Sequence, residues 1–405
     1  MYTINDINKG AASIFKSIGF PDKKNEFWKY TNLKKFQSIN MTEPQEFDLP
    51  QDSFENFDSL SIPVITILNG KVMSYPKNKS CLLISEKFKN FSKFFYNSFI
   101  PNDDSVVQNN PFLILNSAHF SDGIYMNMKS ESNADNNVII RIITDGKKDD
   151  YQTSYPRIHI ETEENSKSKI ILHHIGTNNK KYYKNMVLNV DANKSSKVSI
   201  TNIFEESKQS FSMNNVILNQ KSYSEVKQKS FYLKSGFIRT DISNNLNEPE
   251  SYSSLNGLFL GNNDDFIDNN IMINHNSEHT YSKVLYKGIM DGKSNAVFNA
   301  LVNVPFKSKQ IDSDQKNHNI ILSKTAKINS NPKLKISCDD VKCAHGSTIG
   351  NLDKEALFYL RSRGIGLKKS KQILLNSFMN ELIDNLSINE IKNYIDNRIG
   401  DALKC

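Results

Sequence analysis

Residues 158–172 read IHIETEENSKSKIIL, residues 186–200 read MVLNVDANKSSKVSI, and residues 214–228 read NNVILNQKSYSEVKQ. Aligned at a step of 28 residues, the three segments agree in residue type. Ile160, Leu188 and Val216 share one position, Ser168, Ser196 and Ser224 a second, and Ile170, Val198 and Val226 a third. Asn165 and Lys169 are matched at the same offset by Asn193 and Lys197. Each unit is an alternating strand, a polar turn and a second strand. A fixed period in this range, built of short strands without helices, marks a solenoid, because each coil leaves an apolar face that only its neighbours can bury. Stacked coils pair their strands in parallel, so the expected core is a parallel β-helix. An antiparallel sandwich with coincidental spacing is the competing arrangement, and agreement at nine positions favours the β-helix.

The same strand–turn–strand texture continues without strict register through Ile271–Val304 and Ile320–Cys343. It bounds a β-helical core over residues 122–350, preceded by a mixed α/β domain (1–121) and followed by a helical domain (351–405). In the first domain, Ile4 to Ile18 carries apolar residues at helical spacing. Val64–Leu68 and Leu82–Ile84 read as short strands, Phe88–Phe99 as an aromatic-rich helix, and Gln108–Asp122 as a polar turn followed by a short apolar helix. In the last domain, Asp353 to Arg363 opens on acidic residues and stops at Gly364, a C-cap. Lys369 to Leu386 has an amphipathic stripe, and Ser387-Ile388-Asn389-Glu390 fits a capping box for a final helix. A solenoid end exposes strand edges and apolar surface, so these helices are expected to cap it.

The 405 residues allow two or three domains. No apolar run approaches the ~18 residues of a membrane span, and Met1 to Gly10 lacks a secretory h-region, so a cytosolic protein is expected. The net charge of +7 comes from lysine, with only six arginines among 51 basic residues. These lysines are scattered, so no nucleic-acid surface is expected. The four cysteines (Cys81, Cys338, Cys343 and Cys405) form no CxxC pair, which excludes a self-contained zinc or cluster motif.

Gly288-Ile289-Met290-Asp291-Gly292-Lys293-Ser294 has three residues between its glycines where a phosphate loop has four, and strand follows where a helix should. It reads as a tight turn between coils. His275 and His279, and the adjacent His173 and His174, read as structural or solvent-facing residues. Cys343-Ala344-His345 differs. In a strand, positions i and i+2 share a face about 6.5–7 Å apart, so thiolate and imidazole can approach one metal or iron–sulfur cluster. Two ligands leave a tetrahedral site incomplete, so another surface must supply the rest. The alternative is a buried cysteine beside a satisfied histidine. A Cys–His nucleophile pair lacks an orienting group. A β-helical polysaccharide-acting enzyme would need a carboxylate cluster on one face, which is not found.

Asp339 to Gly350 (DDVKCAHGSTIG), followed by Leu352-Asp353 and by Leu357 to Ile365 (LFYLRSRGI), closely resembles the C-terminal signature of the SufD proteins of the SufB/SufD family. Tyr286-Lys287-Gly288 with Val297-Phe298-Asn299 is similar to that family's YKG…VFN segment. Gln315 with Asn319 to Ser323 is similar to its Q…LLLS segment, and Glu26 to Thr31 (EFWKYT) to its N-terminal box. The resemblance spans the chain, most strongly after about residue 280. It implies a right-handed parallel β-helix with flanking domains. It also implies a non-catalytic scaffold subunit of an iron–sulfur cluster assembly complex, paired with the paralogue SufB and bound by the ABC-type ATPase SufC through the C-terminal helices. His345, with Cys343, would then contribute to a transient Fe–S cluster at the SufB interface, with no cofactor held stably by this chain alone. A homodimer is allowed for the chain in isolation. The SufB pattern itself has a cysteine after the aromatic pair (FYCQQRG) and an acidic EHEA-type motif. Here Leu360 follows Phe358-Tyr359 and the upstream motif is KCAHG, so the chain resembles the SufD partner. Cys338, and Ala344 in place of a common serine, depart from the family pattern.

Overall fold

The computed structural model describes residues 3–42, 57, 60–78, 80–88, 99–100, 110–130, 136–177 and 179–403. The core is a parallel β-solenoid in which each coil gives one strand to each of two facing sheets. One sheet runs through β5 (Ile124–Met128), β8 (Arg157–Thr162), β10 (Tyr182–Ala192), β12 (Ser210–Gln220), β14 (Phe237–Leu246), β16 (Phe266–His275), β18 (Asn295–Val304) and β20 (Lys327–Ile336). The other runs through β2 (Val64–Leu68), β6 (Asn137–Asp145), β9 (Lys167–Thr177), β11 (Lys197–Glu205), β13 (Glu225–Lys234), β15 (Tyr252–Gly261), β17 (Tyr281–Met290), β19 (Ile311–Ile321) and β21 (Val341–Gly350). At the start of the stack, β3 (Lys71–Ser74) and β4 (Cys81–Leu83) pair antiparallel with β2 and β5, and the short strands β1 (Met41–Thr42) and β7 (Tyr151–Ser154) pair in parallel beside β10.

Leu188 faces Val216 and Val198 faces Val226, at the 28-residue step expected. The first step is longer: Ile160 faces Val190, and Ile170 faces Ile200, 30 residues on. The extra two residues sit in the turn, and a slip of two leaves each side chain on its face. Ile160, Leu188, Val216, Val198 and Val226 therefore all point into the lumen core. Turns absorb further changes, with steps of 26 residues (Phe211 to Phe237) and 32 (Asn295 to Lys327). At one corner, successive coils place a left-handed residue: Ser195 (φ 57°), Tyr223 (58°), Glu250 (59°), His279 (53°) and Gln310 (54°). These turns stack through backbone bonds such as Ser195 N–H to Ser222 C=O (2.9 Å) and Gln310 N–H to Asp340 C=O (2.7 Å). Inside the lumen, Gly257 lies under the Tyr286 ring, where a Cβ would come within 2.2 Å of Cε1.

The N-terminal segment packs on the outside of the first sheet. Helix α1 (Ile4–Ile18) has a complete Thr3/Asp6 capping box and packs on α4 (Pro111–His119). α2 (Lys34–Gln37) and a 3-10 turn (Glu26–Trp28) place Phe36 and Trp28 against Phe112, Tyr183, Phe211 and Met213. α3 (Ile84–Phe88) follows β4. The expected Phe88–Phe99 helix falls mostly outside the described residues.

The C-terminal helices α5 (Lys354–Ser362), α6 (Leu367–Ile383) and α7 (Asn389–Ala402) do not cap the end of the stack as expected. Leu375, Met379, Leu382, Ile391, Ile395 and Ile399 instead cover the outer face of the second sheet, against Ile139, Ile171, Ile203, Phe231, Leu258 and Ile289. That outward row is apolar across six coils, and burying it outweighs covering the terminal edge. Lys229 Nζ donates to the Leu382 carbonyl (3.1 Å) and Lys287 Nζ to that of Phe378 (2.9 Å), which seats the C-terminal half of α6. The capping box expected at Ser387–Glu390 does not form, since α7 begins at Asn389 with Ile388 as an N-cap lacking a side-chain bond.

Candidate functional site

β20 and β21 are the last strands of the two sheets, and each leaves one edge unpaired. From Ala344 onward every residue of β21 is exposed. Cys343 and His345 lie on this strand, in register with Ser313 and Gln315 of β19. Cys343 is half-buried and packs on the end of the lumen core, together with Val341 and Cys338. Burial pushes its thiol pKa up, and the neighbouring Asp312 carboxylate adds to the effect.

His345, two residues on, is exposed, and its Nδ1 lies 3.1 Å from the Pro332 carbonyl of β20. A carbonyl only accepts, so Nδ1 carries a proton, and in the neutral ring the lone pair is on Nε2. A backbone oxygen holding one imidazole nitrogen so that the other can ligate is a common arrangement around metals. Ser347 Oγ bonds Ser330 Oγ (2.7 Å) beside it, fastening the two edge strands across the lumen mouth. Among the described residues no three His, Cys, Asp or Glu side chains gather closely enough to hold a metal ion. Cys343 and His345 therefore lie on an open face with no third such side chain beside them among the described residues.

The other histidines are placed differently. His275 is buried, bonded to Thr280 Oγ1 (2.7 Å) and Ser282 Oγ (2.9 Å), whereas His279 sits half-buried in a turn. His173 faces outward to Glu205 (2.7 Å), and His174 faces inward to Lys184 Nζ (2.9 Å). Gly292, with φ 63°, makes the turn between β17 and β18, as its spacing indicated.

Three features escaped the sequence reading. Lys184 and Glu206 form a fully buried ion pair inside the lumen, with Tyr182 and Ser212 on the same carboxylate. Arg239 is fully buried on the outer face of the first sheet, where Asp241 and Asp268 hold it beneath Trp28. Apolar stretches with single charges embedded in them are the trace such networks leave. Finally, α5 is capped by Asp353 but buries none of its residues, leaving Phe358 73% and Tyr359 58% exposed. Among the described residues no helix is long and apolar enough to cross a membrane.

Residues 142–378 match the SufBD core domain of the SUF system for FeS cluster assembly. The chain is 27% identical, over 95% of its length and 90% of the relative's, to the iron–sulfur cluster assembly protein SufD of Escherichia coli K12. It is 24% identical to an iron–sulfur cluster assembly SufBD family protein of Synechocystis, covering 98% of this chain and 90% of that one. Over 30% of this chain and 28% of the relative it is 26% identical to SufD of Bacillus subtilis.

Proposed function

The chain belongs to the SufBD family of iron–sulfur cluster assembly proteins, and on that premise we propose that it is the non-catalytic SufD-type scaffold subunit of a cytoplasmic SufB–SufC–SufD complex. The observation that carries this reading is the uncapped end of the solenoid, with Cys343 and His345 on its last strand. A pair of unpaired edges is a template for strand addition by a partner chain. A SufB-type subunit docked there completes the coordination that a thiol and an imidazole begin. The nascent Fe–S cluster is then cargo, formed between two proteins and passed on. His345 supplies Nε2, with Nδ1 fixed on Pro332, and Cys343 supplies sulfur once deprotonated. No cofactor is held by this chain alone.

The unburied face of α5 is the contact for the SufC-type ATPase, through Phe358 and Tyr359. An exposed aromatic pair on a short capped helix has the anchor character of an interface hot spot. Co-expression with the SufB-type and SufC-type subunits of the same organism, followed by size-exclusion chromatography, tests the assignment. One complex containing all three chains is expected. Phe358→Ala with Tyr359→Ala should release the ATPase and retain the SufB-type chain. Failure of the wild-type chain to co-elute with the SufB-type subunit would overturn the reading.

A further inference from the structure

Asparagine ladders run along the outer face of the first sheet, and in the longer one an acidic residue fixes the direction. Asn219 Nδ2 donates to Asp191 Oδ1 (2.8 Å), Asn245 Nδ2 to Asn219 Oδ1 (2.9 Å), Asn274 Nδ2 to Asn245 Oδ1 (2.9 Å) and Asn303 Nδ2 to Asn274 Oδ1 (3.2 Å). A carboxylate only accepts, so Asn219 must turn its NH2 toward Asp191, and every later amide must follow. The ladder therefore ends in an acceptor, Asn303 Oδ1, and the residue in register on β20 is Lys335, which has only donors.

A second row, Asp241, Asn270, Asn299 and Asn331, is in register strand by strand. Asn270 Nδ2 donates to Asp241 Oδ1 (2.7 Å), and Asn331 Nδ2 donates to Asn299 Oδ1 (3.1 Å). Arg239 donates two bonds to Asp241, so its carboxyl oxygens enter this row as acceptors. This row reaches the edge strand with an asparagine that points one N–H back at Asn299 Oδ1, which aims its own Oδ1 forward. What β20 turns toward an incoming strand here is Asn331 Oδ1.

From this polarity we infer that the strand docking on β20 carries a side-chain N–H or O–H donor opposite Asn331, so that the ladder continues across the interface. The inference rests on the proposed SufB-type partner and narrows its chemistry: asparagine, glutamine, serine, threonine or lysine fits the position, and aspartate or glutamate does not. The bond adds specificity as well as affinity, because an acceptor placed there would meet Asn331 Oδ1 lone pair to lone pair. Lumen contacts at Cys343 and His345 are not involved.

The test is the dissociation constant of the complex with the SufB-type subunit, measured by calorimetry for the wild type, Asn331→Ala, Asn331→Asp and Asn329→Ala. Asn329 is the matched control: same strand, same outer face, but in register with Val297 instead of a ladder. Asn331→Ala should weaken binding about tenfold, and Asn329→Ala should leave it within about twofold. Asn331→Asp keeps an acceptor for the incoming donor but gives up the bond to Asn299 Oδ1, so it should bind more tightly than Asn331→Ala and more weakly than the wild type. Equal effects of the two alanine variants, or equal losses for alanine and aspartate at 331, would overturn the inference while leaving the partner intact. A wild-type chain that binds only a second copy of itself would overturn both.

Discussion

The Arg239 guanidinium lies 3.6 Å from the centre of the Trp28 ring, and both side chains are fully buried. The same guanidinium donates to Asp241 (2.7 and 2.9 Å), Asp268 (2.6 Å), Thr31 Oγ1 (3.1 Å) and the Phe27 carbonyl (3.0 Å). One side chain thus bolts the N-terminal EFWKYT segment to two adjacent coils. Removing it leaves two acidic residues facing each other in a dry interface. Arg239→Leu should cost about 3–5 kcal/mol. Trp28 is the single tryptophan, so urea denaturation followed by its fluorescence reports the loss directly, with red-shifted emission before the far-ultraviolet transition.

His345→Ala should leave the complex with the SufB-type subunit intact and lower cluster yield on reconstitution with iron and sulfide. The side chain is exposed and its bond is to the Pro332 carbonyl, so the fold does not depend on it. Unchanged yield, read from the visible absorbance of the cluster, would remove His345 from the ligand set.

Stability should fall on mild acidification through His275. Burial lowers its folded-state pKa to about 4, whereas an unfolded imidazole titrates near 6.5. Between those values the unfolded chain holds the extra proton, so stability is full above pH ~6.5 and declines by about 3 kcal/mol toward pH 4. His174 is shifted in the same direction by burial and by Lys184 and adds to the slope. Urea midpoints from pH 4 to 7 should show a shallower decline for His275→Asn than for the wild type.

Val198→Asp places a carboxylate in the lumen core, where Val198 is only 2% exposed and faces Val226. A cost of at least about 3 kcal/mol is expected, enough to send most of the expressed chain to inclusion bodies. A soluble variant with a wild-type melting temperature would contradict the inward placement.

Lys229→Ala combined with Lys287→Ala should loosen the C-terminal helices without unfolding the solenoid. Each lysine satisfies a carbonyl near the end of α6, and each bond is worth about 1 kcal/mol. Hydrogen exchange across residues 367–402 should accelerate about tenfold or more while β9 to β19 keep their protection.

The solenoid was legible because its repeat is written in side chains that must face the lumen. The two-residue error between the first and second coils did no harm to that reading, since Val190 and Leu188 share a face. The destination of the C-terminal helices was misread because an amphipathic stripe shows that a helix is covered without showing by what. The answer lay in the strands: Phe231-Tyr232-Leu233 and Leu258-Phe259-Leu260 are apolar on consecutive residues, which marks a strand buried on both faces. Cys343 and His345 were legible as a same-face pair by their spacing. That His345 anchors Nδ1 on Pro332 was not, because it depends on the opposite sheet. Lys184 with Glu206 was invisible for a like reason: the two are 22 residues apart, and β10 meets the turn after β11 only in the folded coil.

The solenoid's two poles are unequal. At one, the sheets finish in β3 and β4, antiparallel strands of four and three residues; at the other, they stop at full-length parallel strands. Short reversed strands make poor templates. The molecule therefore has a valency of one for edge-to-edge joining. Once the full-length pole is occupied, no second full-length edge remains among the described residues for another solenoid, so a chain built from the most fibre-like of folds has no means of propagating itself end to end.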